Sequence, residues 1–286
     1  MKVTSFRKNR IVGKMKFYVF CFFTLSLGCQ CQNASSDSQD PLNNEELEKK
    51  AYSLNIVLCD LTSSDINENI DSVASRASQI IRNTPQPAEI IFLTIEDNLF
   101  ISPLHTYIKE KKRPKKPSER NKLLSEYTNS IESNAQRVSS KIISKFQNIQ
   151  QELKERDPAR SCILNYVKRA EDIFYQKTKD SSMNYTTRLF ILSDMVELCN
   201  DSELGAKIRF TPKNLERVQN TIDDYNPEFS LEGLDELYII PFTNEDFSKS
   251  ESLSSSEIID LWTTLLGKLK YSRADRLYFE PQVPRF

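Results

Sequence analysis

From residue 53 onward the chain alternates short apolar runs with segments whose apolar residues return every three or four positions. Ser53–Cys59 (SLNIVLC) is almost continuously apolar, the pattern of a strand covered on both faces. Ile66, Ile70, Val73, Ala74, Ala77, Ile80 and Ile81 then fall at helical spacing, with Asp65 and Glu68 in a capping-box pattern and Thr84-Pro85-Gln86-Pro87 as the stop. Ala88–Ile95 reads as a second strand, and Leu99–Ile101 with His105–Tyr107 as a third, paired as a hairpin. Ser118–Glu155 is a long polar helix with a single narrow apolar stripe. After Asp157-Pro158 another helix runs from Ser161 to Lys177. Arg188–Val196 is a third strongly apolar strand. It is followed by a helix near Pro212–Tyr225, a strand at Glu236–Phe242 and a helix near Ser256–Tyr271 with Ser254 and Glu257 as its capping box. Strands alternating with helices imply right-handed crossovers, and so an α/β fold with a doubly wound, mostly parallel sheet flanked by helices. The basic loop and long helix over 109–155 stand out as an insertion.

The first 31 residues do not belong to that pattern. Lys2, Arg7, Lys8, Arg10, Lys14 and Lys16 precede the apolar run Phe17–Leu27, which is too short to cross a ~30 Å hydrocarbon core comfortably. This is the layout of an export signal, and either Met1 or Met15 is a natural start. Ser26-Leu27-Gly28-Cys29 resembles the lipobox of bacterial lipoproteins, with Ser26 and Leu27 in the reverse of the usual order. The resemblance implies acylation at Cys29 and a lipid-anchored protein of the bacterial cell envelope. Plain secretion, a periplasmic location or an uncleaved anchor are the alternatives. Residues 32–50 are mostly polar and lack the apolar content to fold alone, as suits a tether to a domain over 51–286. In an oxidising compartment Cys31, Cys59, Cys162 and Cys199 allow up to two disulfides. Cys59 inside a strand reads as a buried thiol, and Cys162 with Cys199 is one candidate pair.

Composition removes several chemistries. Lys plus Arg number 39 and Asp plus Glu 40, so no global charge excess draws the chain to nucleic acid. Five scattered glycines cannot build a phosphate-cradling loop or a dinucleotide fingerprint. The single histidine, His105, excludes paired-histidine zinc sites. Lys109–Lys122 carries eight bases against Glu110 and Glu119, either a solvated loop or a patch for a polyanion or anionic membrane.

In an open parallel sheet, ligands bind beyond the carboxyl ends of the strands. The residues there are Asp60-Leu61-Thr62-Ser63-Ser64 after the first strand and Ser193-Asp194 after a later one. This arrangement resembles the von Willebrand factor type A domain, whose metal-ion-dependent adhesion site carries D-x-S-x-S on its first loop. Asp60, Thr62 and Ser64 occupy those places. The stretch Ser161-Cys162-Ile163-Leu164, running on to Ala170 and Phe174, is similar to the family's second element and nominates Ser161. Asp194 matches the family's third-loop aspartate but lacks the glycine that follows it there.

The resemblance implies a Mg²⁺ or Ca²⁺ site made by Asp60, Thr62, Ser64, Ser161 and Asp194, open to a carboxylate from a partner protein. Such a site recognises and need not catalyse, so no enzyme activity, no catalytic residue and no nucleic-acid partner are expected. Hard cations suit this donor set of carboxylate and hydroxyl oxygens. Two other readings use the same residues. Asp60 with Asp194 also suggests a metal-dependent phosphatase with Asp60 as nucleophile, although Thr62 stands where such enzymes carry a second aspartate. Alternatively the residues only cap turns and helices in a metal-free structural envelope lipoprotein.

Overall fold

The first strand, β1 (Ala51–Asp60), is the centre of the sheet and divides its side chains by the period of two. Leu54, Ile56 and Leu58 enter one core, and Val57 and Cys59 the other, all fully buried. The structure is a computed structural model describing residues 51–61, 66–95, 103–153, 161–179, 183–199, 202–204, 208–241, 253–271, 273–279 and 282–286. Residues 47–286 form one compact unit, and the expected acylation site Cys29 lies outside the described residues.

After β1 come α1 (Ile66–Asn83), β2 (Ala88–Ile95), β3 (Leu104–Ile108), α2 (Arg120–Leu153), α3 (Ile163–Thr178) and β4 (Asn184–Leu192). A two-stranded ladder, β5 (Leu198–Cys199) with β6 (Ile208–Arg209), precedes α4 (Leu215–Asp224). β7 (Glu236–Ile240), α5 (Ser255–Lys268) and β8 (Leu277–Phe279) complete the order. The main sheet runs β3-β2-β1-β4-β7-β8, parallel throughout except for β3. One core lies under α3, α4 and α5; the other lies under α1 and α2. The doubly wound α/β class expected from the sequence is the class observed.

The two helix layers are fixed differently. On α1, Ser78 donates to the Ala135 carbonyl of α2 at 3.1 Å, and Arg82 makes a two-pronged pair with Glu132 at 2.8 and 2.9 Å. Later residues of α1 thus meet earlier residues of α2, so the helices are antiparallel. Across the sheet, Trp262 of α5 is fully buried and packs beside Phe210. The Ser254–Glu257 capping box forms as its sequence predicts.

Two details differ from the sequence expectation, and a third lies outside the described residues. The strand expected over Arg188–Val196 ends at Leu192, because the Ser193 hydroxyl accepts the Met195 N–H at 2.9 Å and Met195 takes a left-handed φ of 61°. Pairing of β5 with β6, and β8 as the far edge strand, had no counterpart in the pattern, since two- and three-residue strands are too short to show a period. Of the expected hairpin, only the second arm falls within the described residues, as β3; Leu99–Ile101 lies outside them, as does the capping residue Asp65.

Candidate functional site

Asp60 is the last residue of β1, and its neighbour Cys59 pairs with Leu192, the last residue of β4. Asp60 and the Ser193-Asp194 pair therefore emerge side by side at the carboxyl edge of the sheet. From β1 the chain winds one way through α1 to β2; from β4 it winds the other way through α4 to β7. The two aspartates flank this reversal, the place where an open α/β sheet leaves a crevice.

Asp60 is fully buried. Ser161, just ahead of α3, donates its hydroxyl to Oδ1 at 3.3 Å, and Ser193 donates to Oδ2 at 2.8 Å. Three remote segments thus converge on one carboxylate, and hydroxyl donors offset part of the cost of burying it. Asp194 is half-buried and turns one oxygen back to accept the Val196 N–H at 3.0 Å, closing the turn that follows β4. Of the residues proposed from sequence, Asp60 and Ser161 are in contact and Asp194 stands on the same edge. Thr62 and Ser64 lie outside the described residues.

Met195 adopts the left-handed conformation at a cost of about 1 kcal/mol or more for a residue with a Cβ. Its surroundings hold it there: the side chain is fully buried, and the Trp262 indole N–H donates to its carbonyl at 2.8 Å. Tertiary contacts thus impose the left-handed turn on a residue that carries a side chain.

Sequence reasoning missed two residues here. Ser193 had a signal, being a hydroxyl directly between a strand and the nominated aspartate. Glu197 had none. It is fully buried, its Oε2 accepts the Leu164 N–H at 3.3 Å, and Ser202 donates to its Oε1 at 3.2 Å. Cys162 at the N-cap of α3 makes no side-chain cap, so this glutamate from a distant loop serves the first turn instead. Burial pushes the Glu197 carboxyl up to about 8, against the lowering by the amides of Leu164 and Ile163 and by Ser202; the charge of Asp60 adds to the rise.

The loop carrying these groups is strapped to α3. Cys162 and Cys199 form a disulfide with Cα atoms 4.8 Å apart, the pairing that sequence offered as a candidate. Leu198 donates its N–H to the Ser161 carbonyl at 3.0 Å, and Lys168 pairs with Glu203 at 3.0 Å. These links fix Ser161 relative to Ser193 and Asp194.

Against solved structures, the chain is similar to the crystal structure of the TFIIH p34 N-terminal domain, with a TM-score of 0.34 and 6% identity over 80% of this chain and 90% of that one. It is also similar to human COPII-coat protein Sec24c, with a TM-score of 0.41 and 8% identity over 85% of this chain and 31% of that one. No protein-family model matches the chain, and no curated protein matches it by sequence.

Cys59, the β1 residue beside Asp60, is a free thiol, fully buried, and burial pushes it up to about 12. It is packing rather than chemistry: a thiol so held is neither a nucleophile nor a ligand near neutral pH.

Proposed function

We propose that this chain is an exported, membrane-tethered interaction domain of the von Willebrand factor type A kind, holding a partner protein through a divalent cation at the Asp60 edge. The observation that carries the reading is the convergence of Ser161 and Ser193 on the buried Asp60 carboxylate at the winding reversal of the sheet. The donor set fits a hard cation, since all its atoms are carboxylate or hydroxyl oxygens. A serine that gives its hydrogen to Asp60 still presents oxygen lone pairs to an ion. Asp60, Ser161 and Asp194 would hold Mg²⁺ or Ca²⁺, with Thr62 and Ser64 as the remaining donors nominated by sequence. The ion would supply a coordination position for a carboxylate on the partner.

Binding suits this geometry better than turnover. A phosphatase of the kind that uses an aspartate nucleophile carries a second aspartate two positions on, and Thr62 stands there instead. The export signal and the lipobox-like Cys29 support attachment to the cell envelope.

Trp262 is the only tryptophan and is bonded to the backbone one residue past Asp194, so its emission reports on this edge. Titration with Mg²⁺ and with Ca²⁺ is expected to give a saturable emission change that Asp60→Asn weakens at least tenfold. A folded protein showing neither an emission change nor calorimetric heat at millimolar concentrations of both ions would end the cation reading. Mass spectrometry of the membrane fraction tests the anchor: a diacylglyceryl adduct on Cys29 is expected, lost in Cys29→Ser.

A further inference from the structure

The sheet edge opposite Asp60 has its own character. β1, β2 and β4 all begin there, with Ser53 paired to Ala88 and Ala51 to Asn184. β3 runs the other way, so its last residue, Ile108, also lies on this edge, paired with Ala88. The chain therefore enters the domain at Ala51 and enters the basic segment at Lys109 on one side of the molecule, about 10 Å apart across two strand spacings.

All eight bases of that segment, from Lys109 to Lys122, are exposed, and with Glu110 and Glu119 subtracted they leave six net positive charges. Arg82, in the last turn of α1, faces Glu132, so the first twelve residues of antiparallel α2 project beyond α1 on this side, with Leu124 44% exposed. On the other face, α3 starts beside Asp60 and ends here, where Lys177 pairs with Glu89 and Lys179 lies over the Tyr175 ring. Tyr175 is 58% exposed, Met183 ahead of β4 is 50% exposed, and Tyr107 at the end of β3 is 55% exposed. Of the five large apolar side chains exposed among the described residues, four thus gather at one edge, around the basic segment. Besides Glu110 and Glu119, counted above, this edge carries Glu126 paired with Lys122, Glu89 with Lys177, and, toward β7, Asp235 and Glu236 with Arg273 and Arg188.

We infer that this edge docks on an anionic lipid bilayer, with the basic segment over phosphate headgroups and Tyr107, Leu124, Tyr175 and Met183 in the interfacial layer. Basic clusters gain attraction from anionic leaflets, and tyrosines with isolated apolar residues settle at the headgroup level. A nucleic-acid strand is the poorer match, because no aromatic is interleaved among the bases from Lys109 to Lys122 to stack on nucleobases. The affinity of the edge belongs to the domain itself; only its constant nearness to a membrane rests on the anchor proposed above. Docked this way, the ten residues of β1 span about 33 Å, so the edge that carries Asp60 lies away from the lipid.

The test is flotation of the whole chain with phosphatidylcholine vesicles and with vesicles containing 30% phosphatidylglycerol, joined to hydrogen exchange on the bound protein. Binding to phosphatidylcholine alone measures the amino-terminal segment, so failure of the anchor reading appears there and nowhere else. The edge predicts an added, salt-reversible gain on phosphatidylglycerol, and slower exchange in 104–124 and 175–184 with 193–198 unchanged. Each base near an anionic surface is worth roughly a fivefold factor, so Lys111→Gln/Lys112→Gln/Lys115→Gln/Lys116→Gln on this exposed loop is expected to lower the gain by about 100-fold or more while leaving the melting temperature in place. Leu124→Ser/Tyr175→Ser is expected to lower it less and to leave its salt dependence intact. No gain on phosphatidylglycerol, protection at 193–198 instead, or protection of the loop by heparin but not by anionic vesicles would each overturn the inference.

Discussion

Replacing Glu197 by glutamine isolates what burial does to one carboxyl. In the folded protein burial holds this acid up to about 8, from an ordinary value of 4.5. A raised carboxyl means that the fold binds the proton more tightly than the unfolded chain does. Its contribution is therefore complete below about pH 4.5, is lost as pH rises toward 8, and is flat above. The difference of about 3.5 units at ~1.4 kcal/mol each gives a ceiling near 5 kcal/mol, so a relative loss of several kcal/mol across that window is expected. Glutamine keeps an acceptor for the Leu164 N–H and cannot ionise, while Ser202 can turn its hydroxyl to accept from the new amide. Urea unfolding followed by circular dichroism from pH 4.5 to 9, in a chelator, measures both proteins. With an m-value of ~2–3 kcal/mol/M, Glu197→Gln should unfold about 1 M or more later than the native sequence at pH 8.5, with little difference at pH 5. Were the native protein instead the more stable of the two at pH 8.5, Glu197 would be an ionised cap on α3. The amide donors would then outweigh desolvation and the reasoning would fail.

Other consequences follow from the same region. The disulfide spans 37 residues, so Cys199→Ser should cost about 3–4 kcal/mol and lower the calorimetric melting temperature by roughly 8–15 °C; an unchanged melting point would mean the remaining straps suffice. Met195→Gly relieves left-handed strain but empties a fully buried site, and loss of the side chain should win by about 1–3 kcal/mol in urea unfolding, with a shifted Trp262 emission. A gain in stability would mean that strain, not packing, governs this turn. Cys59, pushed up to about 12 by burial, should stay unmodified by iodoacetamide at pH 8 until the protein unfolds, as peptide mapping would show; rapid labelling of the native state would contradict the buried placement.

Long elements were legible because periodicity accumulates over many residues. β2 was located to its ends, and α2 and α3 to within two residues, since eight to thirty-four residues of pattern outweigh noise at a boundary. The range Arg188–Val196 overextends the strand because Met195 and Val196 resume the apolar run past Ser193 and Asp194, and the turn is made by hydrogen bonds that hydropathy does not register. At the candidate site, Asp60, Ser161 and Asp194 could be nominated because each sits at the mouth of a recognisable element. Ser193 was passed over in favour of its acidic neighbour, and Glu197 could not have been found at all. Its role is defined by Leu164, 33 positions away, and its own flanks resemble any turn.

The sequence by itself determined the α/β class, the central strands and most helices, because local propensity and apolar spacing act over neighbouring residues. It also held the basic and then apolar amino-terminal run and the run of bases after β3. Only the tertiary structure decided which loops meet. Strand order brings Asp60 beside Ser193, the strap from Cys162 to Cys199 places Ser161 and Glu197, and antiparallel β3 returns the basic segment to the edge where the chain enters. These groups lie 37 to 133 positions apart along the chain, brought together by the burial of two cores and by the direction of each crossover, and no short window of sequence contains them.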